Sequence, residues 1–234
     1  IDVAADIAGM GVYEAAPKLV ERYGEKVAIS LIGQGGEMLL ASAGIQNIDK
    51  DKVPSRIAAR GGLGAVMGSK RIKAIVFDET GGERPPIQDK DAFRAATREF
   101  TKALQAHPVV QSFEQYGTAG MTRMCDGFGA IPTRNFSAGK FEGAEKVSGE
   151  FLRDMLDSRP NADPSHACMA GCIIRCSNVF TDEVGDEVVS PVEYETIGLM
   201  GSNLGIDSLD DIARLNYHVN DLGLDSIEIG AALG

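Results

Sequence analysis

The sequence contains no tryptophan, only three histidines and no long hydrophobic run. Because no apolar stretch approaches the ~18 residues that a membrane-spanning helix requires, we expect no such helix. Basic residues are also scarce: 23 lysines and arginines stand against 34 aspartates and glutamates, which gives the 234-residue chain a net charge of −11. This acidic balance disfavours nucleic acid and anionic membrane surfaces as partners.

The beginning of the chain lacks the basic and apolar segments of a secretory signal peptide, so we expect a cytoplasmic location. The first residue is Ile1 rather than methionine, and residues 1–9 read as the middle of a helix. Residues 228–234 end within an apolar pattern. We therefore interpret the sequence as an internal piece of a longer protein.

The first 80 residues carry patterns typical of mixed α/β structure. Ala5–Tyr23 has helical periodicity, and residues 33–36 predict a turn. Three short apolar runs predict strands at Val27–Ile32, Met38–Ile45 and Ile72–Phe77. The polar, turn-rich segment Gly81–Pro86 is a poor core former, so we place a domain boundary there, between residues 1–83 and 84–234.

Helical periodicity dominates the second part. Helices are predicted at Asp89–Ala106, at Phe151–Asp157 and from the N-cap Ser208 to about Leu222. The glycine-containing stretch Tyr116–Lys140 is interpreted as a long functional loop. The predicted fold class is α+β, in which the end of a mixed α/β domain precedes a mainly α-helical domain.

Three of the four cysteines fall within nine residues, which favours a metal site over a disulfide scaffold. They are Cys168, Cys172 and Cys176, and Cys125 lies far upstream. A straight helix would separate the first and the last by ~12 Å, so the segment must bend to share one cluster, and Gly171 permits a bend. An iron–sulfur cluster, a zinc site that includes His166, and three buried cysteines remain alternatives.

The stretch from Arg60 to Lys70 contains four glycines. Backbone N–H groups of such a loop can bind phosphate, and a following helix N-terminus favours anions. The pattern is neither a dinucleotide-binding fingerprint nor a Walker A loop, and no clear strand leads into it. A tight turn that caps a short helix is the alternative interpretation.

Arg60–Lys70 resembles the signature of the aldehyde ferredoxin oxidoreductase family. Four further stretches are similar to family motifs and occur in the family's order: Tyr116–Gly120, Pro132–Phe136, the cysteine segment and Asn220–Ser226. The resemblance covers essentially the whole chain. It implies that residues 1–83 complete a pterin-binding domain and that residues 84–234 belong to the helical domain.

The resemblance also implies cofactors and partners. The family binds tungsten, or molybdenum in some members, through two pterins beside a [4Fe-4S] cluster. It oxidises aldehydes to acids and passes the electrons to ferredoxin. For this chain, a small-molecule substrate, ferredoxin or another electron-transfer protein, and a homodimer partner are therefore expected.

The resemblance also implies roles for individual residues, which are assigned by their positions in the matching motifs. One pterin and its phosphate would contact Arg60, Gly61 and Leu63, and the other pterin would contact Asn220, Leu224 and Asp225. Three cluster ligands would be Cys168, Cys172 and Cys176, with the fourth beyond Gly234. Glu195 falls where the family places a glutamate beside the metal, where burial could raise its pKa and make it a general base. By sequence alone it would be a surface glutamate.

The sequence departs from the family pattern at three places. The cysteine spacing is C-x3-C-x3-C rather than C-x2-C-x3-C, Asn220 replaces an aspartate, and Arg214 replaces a glutamate that binds a metal at the dimer interface of some members. A related enzyme that reduces an aromatic acyl thioester and a non-redox zinc-binding module therefore stay open as alternatives. We expect the 234 residues alone to be inactive and to retain no metal–pterin cofactor.

Overall fold

A computed structural model describes residues 1–83 and 85–234, and Arg84, which falls in the predicted domain boundary, lies outside the described residues. The first part of the chain forms an antiparallel sheet with the strand order β3-β2-β1-β4. Its strands are β1 (Val27–Leu31), β2 (Ile45–Ile48), β3 (Pro54–Ala58) and β4 (Ala74–Asp78). The strands predicted near Val27 and Ile72 are thereby confirmed.

Helix α1 (Val12–Tyr23) covers one face of this sheet. Its apolar stripe, which includes Val12, Ala15 and Leu19, is buried against alternate residues of β1. The helix begins later than its predicted start at Ala5 because two glycines precede it. Gly9 has a φ of 76°, and a Cβ on Gly11 would lie 2.2 Å from the Asp221 carboxylate.

The predicted strand Met38–Ile45 is wrong except at its last residue. Helix α2 (Gln34–Glu37) precedes the segment, and Leu39 has a left-handed backbone with φ 61°. The N–H of Gly44 donates to the carbonyl of Gly223 at 2.9 Å. This backbone therefore pairs with the second part of the chain instead of forming a strand.

The second part combines helices with a three-stranded antiparallel sheet that the sequence did not predict. Its strands are β5 (Asp163–His166), β6 (Ser177–Thr181) and β7 (Glu187–Val189). Helix α3 (Leu63–Ser69) still belongs to the first part, and the later helices are α4 (Lys90–Ala106), α5 (Pro108–Tyr116), α6 (Met121–Phe128), α7 (Gly149–Ser158), α8 (Tyr194–Thr196), α9 (Leu209–Asp221) and α10 (Ser226–Leu233).

Side-chain caps explain the helix starts that the sequence predicted correctly. The Asp89 carboxylate accepts from two backbone N–H groups of α4, and Ser208 Oγ accepts from Asp211 at the start of α9. The predicted loop Tyr116–Lys140 is wrong in part, because it contains α6 and a short 3₁₀ turn at Thr118–Gly120.

The core of the second part lies between its sheet and helices α7 and α9, and includes Phe180, Val189, Leu209 and Ile212. The α+β fold class is confirmed. The division at residues 83 and 84 stays a prediction. In the part of the chain that the structure describes, no helix is both long and apolar enough to cross a membrane.

Candidate functional site

A cavity of about 440 Å³ opens between the first sheet and the helices of the second part. This volume lies within the range of small-molecule sites. Four segments supply most of its wall: the end of β3, the stretch around α8, helix α9 and the start of α10. The lining residues are Asn47, Ser55, Arg56, Ile57, Ala58, Ala59, Arg60, Pro191, Glu193, Glu195, Thr196, Asn216, Asn220, Asp225 and Ser226.

Two residues predicted to contact different pterins meet at this cavity. Nη1 of Arg60 lies 3.7 Å from Oδ1 of Asp225, and the Arg60 side chain is 61% exposed whereas that of Asp225 is 2% exposed. Oδ1 of Asp225 also accepts from the N–H of Ile227 and so caps α10. Oδ2 is buried and has no hydrogen-bond partner among the described residues. A buried acceptor is therefore free for a ligand in the cavity.

The loop after α9 is anchored on the first part of the chain. Nε2 of Gln46 donates to the carbonyl of Asn220 at 3.3 Å, and the N–H of Asp225 donates to the carbonyl of Ser42 at 2.9 Å. Asn220 lines the cavity, but the Leu224 side chain packs into an apolar cluster with Ala43. The structure thus gives the Leu224 side chain a packing role and leaves only its backbone for a ligand.

The glycine-rich turn follows β3, so the expectation that no strand leads into it was wrong. Strand β3 escaped prediction because Pro54–Ala58 is only partly apolar and is fixed by pairing with β2. Gly61 and Gly62 have φ values of 96° and 67°, and Gly62 is the N-cap of α3. The turn thus caps a short helix, as the alternative interpretation predicted. Gly61 and Leu63 follow Arg60 in the chain but lie outside the cavity lining.

Two other glycines of this motif allow close packing of backbones. A Cβ on Gly64 would lie 2.3 Å from the carbonyl oxygen of Gly44, and one on Gly68 would lie 2.0 Å from that of Gly36. Helix α3 can therefore lie directly on the backbone of residues 36–44. These glycines are required by packing whether or not phosphate binds nearby.

Glu195 lines the cavity but is exposed, which differs from the burial expected of a general base there. Its neighbour Glu193, which sequence reasoning missed, is half-buried and so comes closer to that expectation. Burial raises the pKa of Glu193, the negative charge of Glu195 raises it further, and the positive charge of Arg56 opposes the rise. Sequence carries no signal for this difference, since either glutamate could face inward.

The cysteine segment is irregular and bends at Gly171, which has a φ of 79°. The expectation that the segment cannot be a straight helix is confirmed. Burial raises the pKa of Cys168, Arg56 opposes that rise, and Cys172 adds to it. Burial also raises the pKa of Cys176, with Glu193 and Cys168 adding to the rise. The three thiols therefore share one region, beside the cavity wall.

The ligand set of the zinc alternative is not assembled. A tetrahedral zinc ion with Zn–S distances of about 2.3 Å places its sulfurs about 3.8 Å apart. Among residues 1–83 and 85–234, the only set of three ligand atoms within 4.8 Å of one another is formed by Asp49, Asp51 and His166. His166 thus faces carboxylates rather than the cysteines. All four cysteines are free thiols.

Arg56, a second residue missed by sequence reasoning, lies between the cavity and the cysteine segment. Its Nη1 donates to Ser177 Oγ at 2.9 Å, next to Cys176 in the chain. Its Nε and Nη2 are buried and have no hydrogen-bond partner within the described part of the chain. Arg56 therefore offers unused donors close to both the cavity and the thiols.

Family models match nearly the whole chain. The model for aldehyde ferredoxin oxidoreductase, domains 2 and 3, matches residues 95–234. The chain belongs to the aldehyde ferredoxin oxidoreductase family. The family's N-terminal domain model matches residues 1–79.

Several relatives are named as tungsten-containing aldehyde ferredoxin oxidoreductases. The chain is 39% identical over 209 residues to the tungsten-containing aldehyde ferredoxin oxidoreductase of Thermococcus kodakarensis. The matched region covers 89% of this chain and 32% of the relative. For the Pyrococcus furiosus enzyme of the same name, the identity is 38% over 232 residues, and the match covers 98% of this chain and 36% of that enzyme. The chain spans about a third of the length of these relatives.

Two further similarities are more distant. A Pyrococcus furiosus protein named aliphatic sulfonate oxidoreductase, WOR-like subunit, is 31% identical over 211 residues, which covers 88% of this chain and 31% of that protein. The solved active site complex BamBC of benzoyl coenzyme A reductase, in complex with 1,5-dienoyl-CoA, matches with a TM-score of 0.64 and 19% identity, over 95% of this chain and 34% of that chain. The latter match shows a shared fold.

Proposed function

We propose that the chain forms part of a tungsten–pterin oxidoreductase that oxidises an aldehyde to a carboxylic acid and passes the electrons through a [4Fe-4S] cluster to ferredoxin or another electron-transfer protein. The observation that carries the proposal is the cavity where Arg60, Glu195 and Asp225 come together from both parts of the chain. The names of relatives at 36–39% identity support tungsten as the metal.

The wall of the cavity fits a ligand rich in hydrogen-bonding atoms. Asp225 offers an unused acceptor and Nε of Arg56 an unused donor, counting partners among the described residues, while Nη2 of Arg56 faces Asp49 at 3.8 Å. A pterin ring carries both donors and acceptors, and its phosphate suits the exposed guanidinium of Arg60. We infer that the pterins are held by the side chains of Arg60, Asn220 and Asp225 and by the backbone of Gly61, Leu63 and Leu224.

The thiols fit an iron–sulfur cluster better than one ion. A cubane spreads its thiolate ligands over separate iron atoms, so they need not be as close as the ligands of one zinc. In this proposal Cys168, Cys172 and Cys176 bind the [4Fe-4S] cluster, and the fourth ligand comes from outside the 234 residues. Arg56 would stabilise the negative charge of the thiolate-bound cluster and orient the ligand in the cavity.

The reaction consumes an aldehyde and water and yields a carboxylic acid, two electrons and two protons. When bound, the tungsten–pterin group supplies the acceptor for those two electrons. Glu195, on the cavity wall, is the proposed base that takes a proton from the reacting groups. Glu193, beside it on the wall, has its pKa raised by burial and by the charge of Glu195, so of the two carboxylates it is the one whose protonated form is favoured more.

Aldehyde oxidation is favoured over acyl thioester reduction because the relatives that share 36–39% identity are named for aldehydes. Similarity to the benzoyl coenzyme A reductase complex concerns the fold alone. The zinc module is disfavoured because His166 contacts Asp49 and Asp51 rather than the thiols.

The test compares metal content and activity of the intact, anaerobically purified protein and two variants. We expect tungsten and four irons per chain, together with aldehyde-dependent reduction of a viologen dye. Asp225→Asn should lose most of the tungsten but keep its fold, because asparagine is also a good N-cap. Asp89→Asn, which makes the same change at the exposed cap of α4, is the matched control and should lose none. Protein with one zinc and no tungsten, or tungsten retained in Asp225→Asn, would refute the assignment.

A further inference from the structure

A second group of potential ligands, none of which lines the cavity, lies where the two parts of the chain meet. Asp49 and Asp51 belong to the turn between β2 and β3, and His166 ends β5. Nε2 of His166 lies 3.7 Å from Oδ2 of Asp49 and 3.4 Å from Oδ2 of Asp51. The side chains of His166 and Asp49 are only 7% and 1% exposed. Three ligand atoms thus converge from two segments more than a hundred residues apart.

The His166 ring nitrogen that faces these carboxylates is unsatisfied. Nε2 is buried, and no atom among the described residues forms a hydrogen bond with it. Distances of 3.4 and 3.7 Å exceed those of ordinary N–H···O bonds. Ligands about 2.1 Å from a tetrahedral ion, in contrast, lie about 3.4 Å from one another. The spacing therefore fits ligands that share one ion better than a direct hydrogen bond.

The surroundings orient both buried ligands. Oδ1 of Asp49 accepts from the N–H groups of Asp51 and Val53 at 2.8 and 3.2 Å. Oδ2 accepts from Ser55 Oγ at 3.0 Å and faces His166 with its remaining lone pair. On the other side of the ring, Nδ1 lies 3.4 Å from Oδ2 of Asp163. A carboxylate that faces the second ring nitrogen is the usual neighbour of a metal-bound histidine, and Asp163 is placed to accept from Nδ1 when the ring turns Nε2 onto an ion.

Negative charge dominates this site. Besides Asp49 and Asp51, Asp163 places a third carboxylate against the His166 ring. Two cations face the group: Nη2 of Arg56 is 3.8 Å from Oδ2 of Asp49, and Nζ of Lys50 is 2.5 Å from Oδ2 of Asp51. Lys50 is exposed enough to move away if Asp51 binds an ion.

We propose that Asp49, Asp51 and His166 form a binding site for a divalent transition-metal ion, supported by Asp163. Two carboxylates and one imidazole suit ions such as Zn²⁺, Fe²⁺ or Mn²⁺. The ion joins the β2–β3 turn to β5 and so holds the start of the cysteine segment against the first sheet. The site does not depend on the pterin or on the proposed aldehyde chemistry.

The test uses Mn²⁺ as the probe, because thiolates prefer softer metals and carboxylates bind it well. The protein is dialysed against EDTA, Mn²⁺ is added, and binding is measured from the loss of the free-ion EPR signal. We expect one tight Mn²⁺ per chain, ¹⁴N modulation from a bound imidazole in pulsed EPR, and a higher thermal midpoint. Asp49→Asn and His166→Gln should weaken binding by at least about 100-fold, and Asp163→Asn by about 10-fold.

Controls separate this site from other groups. The double variant His107→Gln with His218→Gln removes the other two histidines and should keep the nitrogen signal. Replacing the three clustered cysteines by serine should leave Mn²⁺ binding unchanged. The proposal is overturned if the unaltered protein binds no Mn²⁺ at millimolar concentration, if the bound ion shows no nitrogen coupling, or if the double histidine variant loses that coupling. These outcomes decide the question even if Asp49→Asn fails to fold.

Discussion

Replacing Gly68 by alanine should destabilise the protein, although alanine is the better helix former. Gly68 lies in α3, and a Cβ there would lie 2.0 Å from the carbonyl oxygen of Gly36 and 2.8 Å from its carbonyl carbon. Both atoms belong to backbone, so a side-chain rotation cannot relieve the overlap. Helix α3 would have to move away from α2 by more than 1 Å to restore a normal contact of about 3.4 Å.

The expected size follows from two opposing effects. Alanine in place of a helical glycine contributes about 1 kcal/mol of stabilisation. Overpacking a rigid contact costs about 3 kcal/mol, at the upper end of its range, since backbone must shift. The net loss is therefore about 2 kcal/mol, which for a chain of this size lowers the thermal midpoint by about 4–8 °C.

Gly127→Ala is the matched control. Gly127 also lies in a helix, α6, and among the described residues a Cβ there would meet no atom within 4 Å. This variant should be stabilised by up to about 1 kcal/mol. Thermal and urea unfolding followed by circular dichroism would measure both changes. If Gly68→Ala were as stable as the parent, or if both variants shifted alike, the argument that close backbone packing requires Gly68 would fail.

Two further predictions concern stability. Arg159 forms two hydrogen bonds with the Asp210 carboxylate, at 2.8 and 2.9 Å, and its side chain is 8% exposed. Because lysine cannot form this paired contact, Arg159→Lys should lower the free energy of unfolding, measured in urea, by about 2 kcal/mol. The control Arg94→Lys, at an exposed ion pair, should leave it unchanged. Asp182 lies in the turn between β6 and β7, and its Oδ1 accepts from the N–H groups of Val184, Gly185 and Asp186, which hold its pKa below the usual value. Its ionised form therefore stabilises the fold at pH values above the unfolded-state pKa, and this contribution is lost as the pH falls through the folded-state pKa. Asp182→Asn should keep the turn but flatten this part of the pH–stability curve, and an unchanged curve would contradict the assignment.

Several elements could be predicted because their signals are local. The helix after Ser208 has its own cap and a regular apolar stripe, and β1 has alternating apolar residues that are buried in the fold. The bend in the cysteine segment followed from the size of a cluster and the freedom of Gly171. The resemblance to the family, rather than any local signal, led us to expect that the motif residues lie near one another. Their individual roles stay predictions.

Other features depend on partners that are distant in sequence. Strand β3 and the sheet β5-β6-β7 are short and partly polar, so pairing with neighbouring strands determines them. The segment Met38–Ile45 has strand-like residues, but its backbone pairs with the loop at Gly223. In each case a tertiary contact outweighs the local preference.

By itself, the sequence determined the residues that carry chemistry, the helices with their own caps, and the positions where only glycine fits the backbone. The tertiary structure decided which of these side chains are buried and what they face. It leaves Glu193 half-buried and Glu195 exposed, brings Arg56 to Ser177, and sets His166 against Asp49. The physical reason is that burial and electric field arise from segments that meet only after the chain folds, whereas caps and periodicity act over a few residues.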